Sequence, residues 1–120
     1  MFVVAEYSLT EVFALMEAGL NRAVLPDGNS VKLSSPRLKM FYEKGVECVT
    51  CGLQGTVFRL ESSAQETPHL NLYAVAEGKW VLMTKDHIHP KSKGGAEHMD
   101  NFQVMCQPCN GKKGCKVEVI

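Results

Sequence analysis

Hydrophobic residues recur along the chain with two different spacings. The longer spacing, that of an α-helix, predicts two short helices. Apolar residues recur at helical spacing after Ser8, and Glu11 follows Ser8 at the distance of a capping box. This pattern predicts a helix over residues 9–18, which Gly19 ends. A Ser-Ser-Pro sequence, with the proline suited to the first helical turn, predicts a second helix over residues 36–44.

The shorter period, an alternation of apolar and polar residues, predicts strands. The predicted strands are residues 2–7, 56–60, 71–76, 80–84, 101–105 and 116–120. Residues 22–33 predict two further short strands around a Pro-Asp-Gly-Asn turn, and residues 77–79 predict a hairpin turn. Helices and strands mixed within 120 residues predict a single α+β domain.

The composition is that of a globular protein, and its main use is to exclude a membrane-spanning or secreted protein. Hydrophobic residues make up 45% of the chain, and no apolar run approaches the roughly 18 residues that span a bilayer. The N-terminus lacks a basic start and carries an acid after four apolar residues, so it does not read as a secretory signal. We therefore expect a cytoplasmic protein without a membrane partner, in which thiols remain reduced.

The formal net charge is zero, but the charges are unevenly distributed. Residues 1–78 contain six Lys or Arg and nine Asp or Glu, giving −3, whereas residues 79–120 contain seven Lys and four Asp or Glu, giving +3. A basic final third is what a phosphate-binding face requires, although a solvated surface can produce the same modest asymmetry. Charge alone therefore leaves a nucleic-acid partner open.

Four of the five cysteines form two Cys-x-x-Cys pairs, a spacing that in a reducing compartment favours a metal site over disulfides. Two such pairs supply four thiolates for a closed, structural zinc site. The predicted zinc ligands are Cys48, Cys51, Cys106 and Cys109. Gly52 and Asn110 follow the two pairs, and both residue types tolerate a positive φ. Free thiols or one redox pair are the alternatives, and we expect Cys115 to be an ordinary free cysteine.

An Asp-His pair near the end of a predicted strand supplies a second group of candidate residues. Asp86 and His87 are neighbours there, so their side chains should point to opposite faces of the strand. With Asn110 as a neutral oxygen ligand, Asp86 would form an oxygen-rich site for a hard cation such as Mg²⁺ or Mn²⁺. A histidine can act as a general base near neutral pH. Taken alone, the pair is also compatible with ordinary surface residues.

The segments DHIHPKSKGG and NFQVMCQPCNGKKG, taken together, resemble the motif of HNH endonucleases. The resemblance covers residues 80–114 and the first cysteine pair, which many zinc-containing members carry. It implies a ββα-metal core over residues 46–115, stapled by the four-cysteine zinc site, with an N-terminal helix and β-hairpin extension over residues 1–45. It also implies metal-dependent hydrolysis of DNA phosphodiester bonds.

The resemblance assigns a role to each residue at a motif position. His87 corresponds to the general base that activates water, and Asp86 corresponds to a ligand of the catalytic Mg²⁺ or Mn²⁺. Asn110 stands at the last position of the motif, which is histidine in many members, and corresponds to the second ligand. Asn101 corresponds to the middle asparagine, whose side chain braces the loop that holds His87. The expected products carry 5′-phosphate and 3′-hydroxyl ends.

Basic residues near these positions are candidates for contacts with the substrate. They are His89, Lys91, Lys93, Lys112 and Lys113. His89 shares a strand face with His87 if the strand continues that far. We expect no functional role for His69 or His98.

Two other functions remain compatible with the sequence. A catalytically inactive, zinc-stapled module that binds nucleic acid would retain the cysteines, but the intact Asp86, His87 and Asn110 argue against it. A purely structural zinc protein would leave the Asp-His and Gly-Gly groups without a purpose. DNA is the expected partner, and a homodimer or a protein partner stays open, as do sequence specificity and strandedness.

Overall fold

The computed structural model describes residues 2–63 and 67–114, and within them strands and helices are mixed along the chain. The strands are β1 (Phe2–Ser8), β2 (Arg22–Val24), β3 (Ser30–Lys32), β4 (Val57–Ser62), β5 (His69–Ala76), β6 (Lys79–His87) and β7 (Phe102–Cys106). The helices are α1 (Leu9–Glu17), α2 (Pro36–Lys44) and α3 (Gln107–Lys113). Two short 3₁₀ turns, Lys91–Lys93 and Met99–Asn101, lie between β6 and β7.

Five of these strands form one antiparallel sheet in the order β1-β4-β5-β6-β7, and β2 pairs with β3 in a separate hairpin. β1 pairs with β4 from Phe2, opposite Ser62, to Ser8, opposite Val57. Residues that the sequence placed in an N-terminal extension therefore contribute an edge strand to this sheet. β6 pairs with β5 over residues 79–82 and with β7 over residues 83–87, so its second half belongs to a β6-β7-α3 unit.

One face of the sheet is buried beneath α1, α2 and the β2–β3 hairpin. Alternate residues of the central strands, including Phe58, Leu60 and Leu72, have no exposed surface, and Phe41 of α2 and Val31 of β3 pack in the same core. Burial of each side chain of this size contributes about 1.5–3 kcal/mol to folding. The packed sheet therefore fixes the position of the end of β6, where the candidate residues lie.

Local sequence signals start both N-terminal helices where the pattern predicts. The Ser8 hydroxyl accepts a hydrogen bond from the Glu11 N–H at 3.0 Å, and the Glu11 carboxylate accepts one from the Ser8 N–H at 2.9 Å. The Ser35 hydroxyl accepts a hydrogen bond from the Leu38 N–H at 3.2 Å, and Pro36 occupies the first turn. Both predicted helices are confirmed, with α1 ending one residue before the predicted end.

The predicted strands within the described residues are also confirmed, with shifted ends. β6 continues past residue 84 to His87 because its second half pairs with β7. His89 lies beyond the end of this strand, so it does not share a strand face with His87. The predicted hairpin turn is present at Glu77 and Gly78, which both have positive φ. The strand predicted at residues 116–120 lies outside the described residues, as does Cys115.

The fold is of the predicted α+β class, with a helix and a β-hairpin ahead of the first cysteine pair. In the C-terminal part of the described chain, β6, β7 and α3 follow one another in the predicted ββα order. Among the described residues, no helix is both long and apolar enough to cross a membrane.

Candidate functional site

The four predicted zinc ligands converge in the structure, although 55 residues separate Cys51 from Cys106. All four Sγ atoms lie within 4.8 Å of one another, and the Sγ atoms of Cys51 and Cys106 are 3.7 Å apart. Tetrahedral zinc with Zn–S bonds of about 2.3 Å requires sulfur atoms about 3.8 Å apart. The cluster of Cys48, Cys51, Cys106 and Cys109 can therefore hold a metal ion such as zinc.

The two cysteine pairs reach this cluster through different backbone conformations. Gly52 has a φ of +80°, and its N–H donates to the carbonyl of Cys48 at 3.0 Å, which closes the first turn. The Val49 N–H donates to the carbonyl of Val104 in β7, which ties this turn to the strand leading into the second pair. Asn110 is helical within α3, so the expectation that it takes a positive φ is wrong. The second pair needs no such turn, because the start of α3 places Cys106 and Cys109 on the same side of this helix.

The surroundings of the cluster shift the pKa values of two of its thiols in opposite directions. Burial opposes ionisation of Cys48, but hydrogen bonds from the backbone of Cys106, Cys51 and Thr50 outweigh it and lower its pKa from 9.0 to about 6. Burial raises the pKa of Cys109 to about 12, and its hydrogen bonds to the other thiols act in the same direction. Further thiolates therefore require a cation among them, which is the role zinc plays in such sites.

The carboxylate of Asp86 lies at the end of β6 beneath α3, where it is paired with a lysine. The Nζ atom of Lys113 is 3.1 Å from Oδ2 and 3.4 Å from Oδ1, and it also donates to the carbonyl of His87 at 2.9 Å. Gln103, directly opposite on β7, donates from Nε2 to Oδ2 at 2.9 Å. The side chains of Lys113 and Asp86 are only 1% and 6% exposed. Because a buried charge needs a partner, Lys113 is the counter-charge of Asp86 in this structure.

Asn110 stands one turn before Lys113 on α3, and its side chain contacts the same strand. Its Nδ2 donates to the Thr84 hydroxyl at 2.9 Å. Thr84 and Asp86 are two residues apart on β6 and share a face, so Asn110 and Lys113 of α3 contact the same face of this strand. The Oδ1 atom of Asn110 accepts no hydrogen bond from the described part of the chain, which leaves an amide oxygen available as a ligand.

His87 points away from Asp86, as expected for its neighbour on a strand. Its Nε2 atom lies 2.6 Å from Oε1 of Glu97, and its ring stands edge-on to Phe102 with the ring centres 5.3 Å apart. The side chain remains 22% exposed. The imidazole is therefore held by a hydrogen bond and an aromatic contact while solvent still reaches it, a geometry that suits a general base.

Glu97 has no role in the sequence-based prediction, yet its carboxylate contacts three basic side chains. Besides His87, Lys85 lies 3.8 Å and Lys91 lies 3.6 Å from its oxygen atoms. The hydrogen bond to His87, together with the positive charge of the two lysines, lowers the pKa of Glu97 below its ordinary value of 4.5. An acidic residue within a loop that carries two lysines was the only sequence signal. The ten positions between Glu97 and His87 hid the contact.

Asn101 closes the loop that connects β6 to β7. Its buried side chain accepts a hydrogen bond from the His89 N–H at 2.9 Å and donates to the carbonyls of His89 and Ala96 at 3.1 and 2.9 Å. Its backbone carbonyl accepts a further hydrogen bond from the Ile88 N–H at 2.8 Å. Asn101 thus fixes the chain in the two residues that follow His87.

The Gly-Gly pair in this loop has a steric explanation. A Cβ atom at Gly95 would lie 1.8 Å from the carbonyl oxygen of His89, far closer than any side chain can approach. The Gly95 N–H donates to the carbonyl of Pro90 at 3.0 Å, and Gly94 has a φ of +84°. Only glycine at position 95 allows the loop to fold this tightly against the end of β6.

The predicted substrate contacts fall into two groups. Four of them are exposed, namely His89, Lys91, Lys93 and Lys112. Of these, His89 and Lys93 lie together in an open cleft of about 580 Å³ beside Asn101. Lys113 is buried instead, with its ammonium on Asp86 rather than at the surface.

The donor set at the end of β6 is chemically suited to a hard cation. A carboxylate oxygen of Asp86 and the amide oxygen of Asn110 are ligand types that Mg²⁺ and Mn²⁺ prefer. Asp86 lies on one face of β6, and Asn110 of α3 contacts Thr84 on the same face. A cation bound to Asp86 has to displace the ammonium of Lys113 or share the carboxylate with it, because that contact is already made.

Comparison with known families agrees with this geometry. The sequence model of the family described as HNH endonuclease matches residues 78–119, a segment that contains β6, the Asn101 loop, β7 and α3. The resemblance predicted over residues 80–114 is confirmed by this match, which indicates a nuclease-type function and a nucleic-acid substrate. No match was found among curated proteins or among solved structures.

Proposed function

We propose that this protein is an HNH-type endonuclease that hydrolyses DNA phosphodiester bonds with a divalent cation, around a structural zinc site. One observation carries the proposal. In the segment that matches the HNH endonuclease family, β6 carries the Asp86 carboxylate and the His87 imidazole on successive residues, and the Asn110 amide of α3 contacts Thr84 on the Asp86 face of this strand. These are the three groups that the hydrolysis requires.

His87 is the general base in this proposal. With a hydrogen atom on Nε2, the imidazole donates to Glu97, and Nδ1 is left to accept a proton from water. The carboxylate of Glu97 then stabilises the imidazolium that forms, and the edge of Phe102 keeps the ring from rotating. The hydrogen bonds of Asn101 to His89 fix the backbone that follows the base.

Asp86 and Asn110 are the residues that would hold Mg²⁺ or Mn²⁺. The bound cation supplies stabilisation of the negative charge that develops on the phosphate and on the leaving 3′ oxygen. Gln103 orients the Asp86 carboxylate from β7, and Thr84 orients the Asn110 amide from β6. The four cysteines, with zinc, fix the start of α3 and thereby the position of Asn110.

The exposed basic residues around the site would contact the phosphates on either side of the scissile bond. Lys91, Lys93 and His89 stand on the loop between β6 and β7, and Lys112 stands on α3. Attack by the activated water then leaves a 5′-phosphate on one product and a 3′-hydroxyl on the other.

A second candidate function is a zinc-stapled module that binds nucleic acid without cleaving it. The contact between Lys113 and Asp86 favours this alternative, since an internal ammonium already neutralises the carboxylate. In that case the site would bind DNA but would not bind a divalent cation.

Incubation of supercoiled plasmid with the protein and Mg²⁺ or Mn²⁺ distinguishes the two functions. We expect the wild type to nick or linearise the plasmid, and we expect His87→Ala to lose this activity while still binding DNA. Lys79→Ala is a matched control, because Lys79 is exposed at the opposite end of β6 from His87. Binding by the wild type without metal-dependent cleavage would favour the inactive module.

A further inference from the structure

A basic cavity lies away from the catalytic residues, between the β2–β3 hairpin, the first turn of α2 and the start of β5. Its volume is about 280 Å³. Arg22, Lys32 and Arg37 line it together with His69, and its other described lining residues are uncharged. Three cations from three elements thus line one cavity, and no described carboxylate is among its lining residues.

The two basic residues that line this cavity from the hairpin repel each other. Arg22 and Lys32 are directly opposite each other in the β2–β3 pairing, a position in which like charges destabilise the pair. Neither forms an ion pair within the described residues, and Arg22 has only a long contact, of 3.4 Å, to the Ser30 hydroxyl. An anion bound between the two side chains would remove this repulsion.

Arg37, which also lines the cavity, carries a hydrogen-bond donor without a partner. Its Nη2 donates to the carbonyl of Leu70 at 2.9 Å, but its buried Nε has no hydrogen-bond partner in the described part of the chain. Burial lowers the pKa of Arg37, as expected for a guanidinium without an anion. The positive end of the α2 dipole, at Ser35, lines the cavity as well.

We propose that this cavity binds a phosphate group of the DNA strand at a distance from the scissile bond. The proposal rests on the proposed function only in taking DNA as the ligand. α2 begins at the cavity, and Lys44 in its last turn donates to the carbonyls of Met99 and Phe102, on either side of Asn101. A nine-residue helix is about 13 Å long, which equals the rise of roughly four base-pair steps along the axis of B-DNA. A strand held at the cavity can therefore continue to the catalytic loop.

The salt dependence of DNA binding tests this assignment without any cleavage. Fluorescence anisotropy of a labelled duplex is measured over a series of salt concentrations, without divalent cations, for proteins that all carry His87→Ala. Each phosphate neutralised by the protein contributes about 0.9 to the slope of log K against log salt. We expect Arg22→Gln with Lys32→Gln to reduce the slope by about 0.9 and to weaken binding at every salt concentration.

Lys39→Gln with Lys79→Gln is the matched control, because it removes the same charge from two exposed lysines outside the cavity. The proposal would be overturned if the hairpin variant, Arg22→Gln with Lys32→Gln, had the slope of its His87→Ala parent or a change no greater than that of this control.

The melting temperature of the hairpin variant should be unchanged or higher, since the substitution removes a like-charge pair. A further result would also refute the DNA assignment. In that result, inorganic phosphate raises the melting temperature of the His87→Ala parent but not of the hairpin variant, while both proteins show the same salt slope for DNA. The cavity would then bind free phosphate. Absence of cleavage by the wild type would refute the proposed function but would not alter these slopes.

Discussion

The ammonium of Lys113 lies 3.1 Å from Oδ2 of Asp86, and both side chains are almost completely buried. The two residues are 27 positions apart in the chain and meet because α3 packs on β6. Asp86 is also the carboxylate that we assign to the catalytic cation. If Asp86 holds that cation as proposed, the cation competes with Lys113 for the same oxygen atoms, and its affinity depends on how readily Lys113 moves.

Replacement of Lys113 by methionine tests this competition. Removal of one partner from a buried ion pair leaves the other charge uncompensated, so Lys113→Met should lower the free energy of unfolding without metal by about 3–5 kcal/mol. Because the competitor is gone, Mn²⁺ should raise the melting temperature of Lys113→Met more than that of the wild type. Thermal unfolding with and without Mn²⁺ measures both effects.

The control for this experiment is the double variant Asp86→Asn with Lys113→Met. It removes both charges, so it should recover much of the lost stability but show no response to Mn²⁺. Equal stabilisation of the wild type and Lys113→Met by Mn²⁺ would contradict competition between lysine and cation.

A second prediction concerns Glu97, which holds Nε2 of His87. Glu97→Gln keeps the size of the side chain but removes the charge that stabilises the imidazolium, so kcat should fall on the order of tenfold while KM stays the same. Steady-state cleavage kinetics measure this split, with Glu17→Gln on the exposed end of α1 as the control. A rise in KM with unchanged kcat would instead place Glu97 among the substrate contacts.

The effect of Glu97 should also depend on pH in a defined direction. The hydrogen bond to His87 lowers the pKa of Glu97 below 4.5, so the contribution of its charge is fully present above pH 4.5. It is lost only as the pH falls through the lowered pKa of the folded protein. At pH values where His87 is the free base in both proteins, the ratio of wild-type to Glu97→Gln rates should therefore not depend on pH. A ratio that changes in that range would contradict this assignment.

A third prediction concerns the cysteine cluster. Zinc binding should release fewer than four protons above pH 6, because Cys48, with a pKa of about 6, is already a thiolate there. Zinc affinity should fall more steeply once the pH drops through this value, since the proton then competes at Cys48 as well. Calorimetry in buffers of different ionisation enthalpy measures the protons released.

The same cluster should couple metal binding to folding. Cys48→Ser should lose zinc and cooperative unfolding, because a structural zinc site contributes on the order of 10 kcal/mol in small domains. Thr50→Ser, between the same two cysteines, keeps all four thiols and is the control. A Cys48→Ser protein that unfolds like the wild type would show that zinc has no structural role.

A fourth prediction concerns Asn101, whose side chain makes three hydrogen bonds to the loop backbone. Asn101→Ala leaves the His89 N–H and two loop carbonyls without their partner, so the free energy of unfolding should fall by about 1–3 kcal/mol. The cleavage rate should fall as well, because the chain after His87 loses its anchor. Urea denaturation checks the first effect, and an Asn101→Ala protein as stable as the wild type would contradict the bracing role.

Much of the fold follows from signals that act over a few residues. The capping box at Ser8 and the Ser35–Pro36 start mark both N-terminal helices because their hydrogen bonds are local. The turn at Gly78 marks the β5–β6 hairpin for the same reason. The duplicated cysteine spacing predicts the metal cluster across 55 residues because four thiols have few other uses in one small domain.

Contacts between distant residues of ordinary type could not be predicted in this way. No local pattern says that β1 pairs with β4, that Lys113 is buried on Asp86, or that Glu97 reaches His87. Lysine and glutamate are usually exposed, so the sequence favours a surface position for each. Only the packing of α3 and of the Asn101 loop reveals the partner that each one takes.

Cleavage by His87→Ala with and without added imidazole tests the central claim most directly. Loss of a general base lowers the rate by about 10²–10⁴-fold, and we expect His87→Ala to show a loss of this size under saturating Mg²⁺ or Mn²⁺. Imidazole in solution should restore part of the lost rate, because it can accept the proton in place of the missing side chain. A His87→Ala protein that cleaves DNA at the wild-type rate would contradict the account.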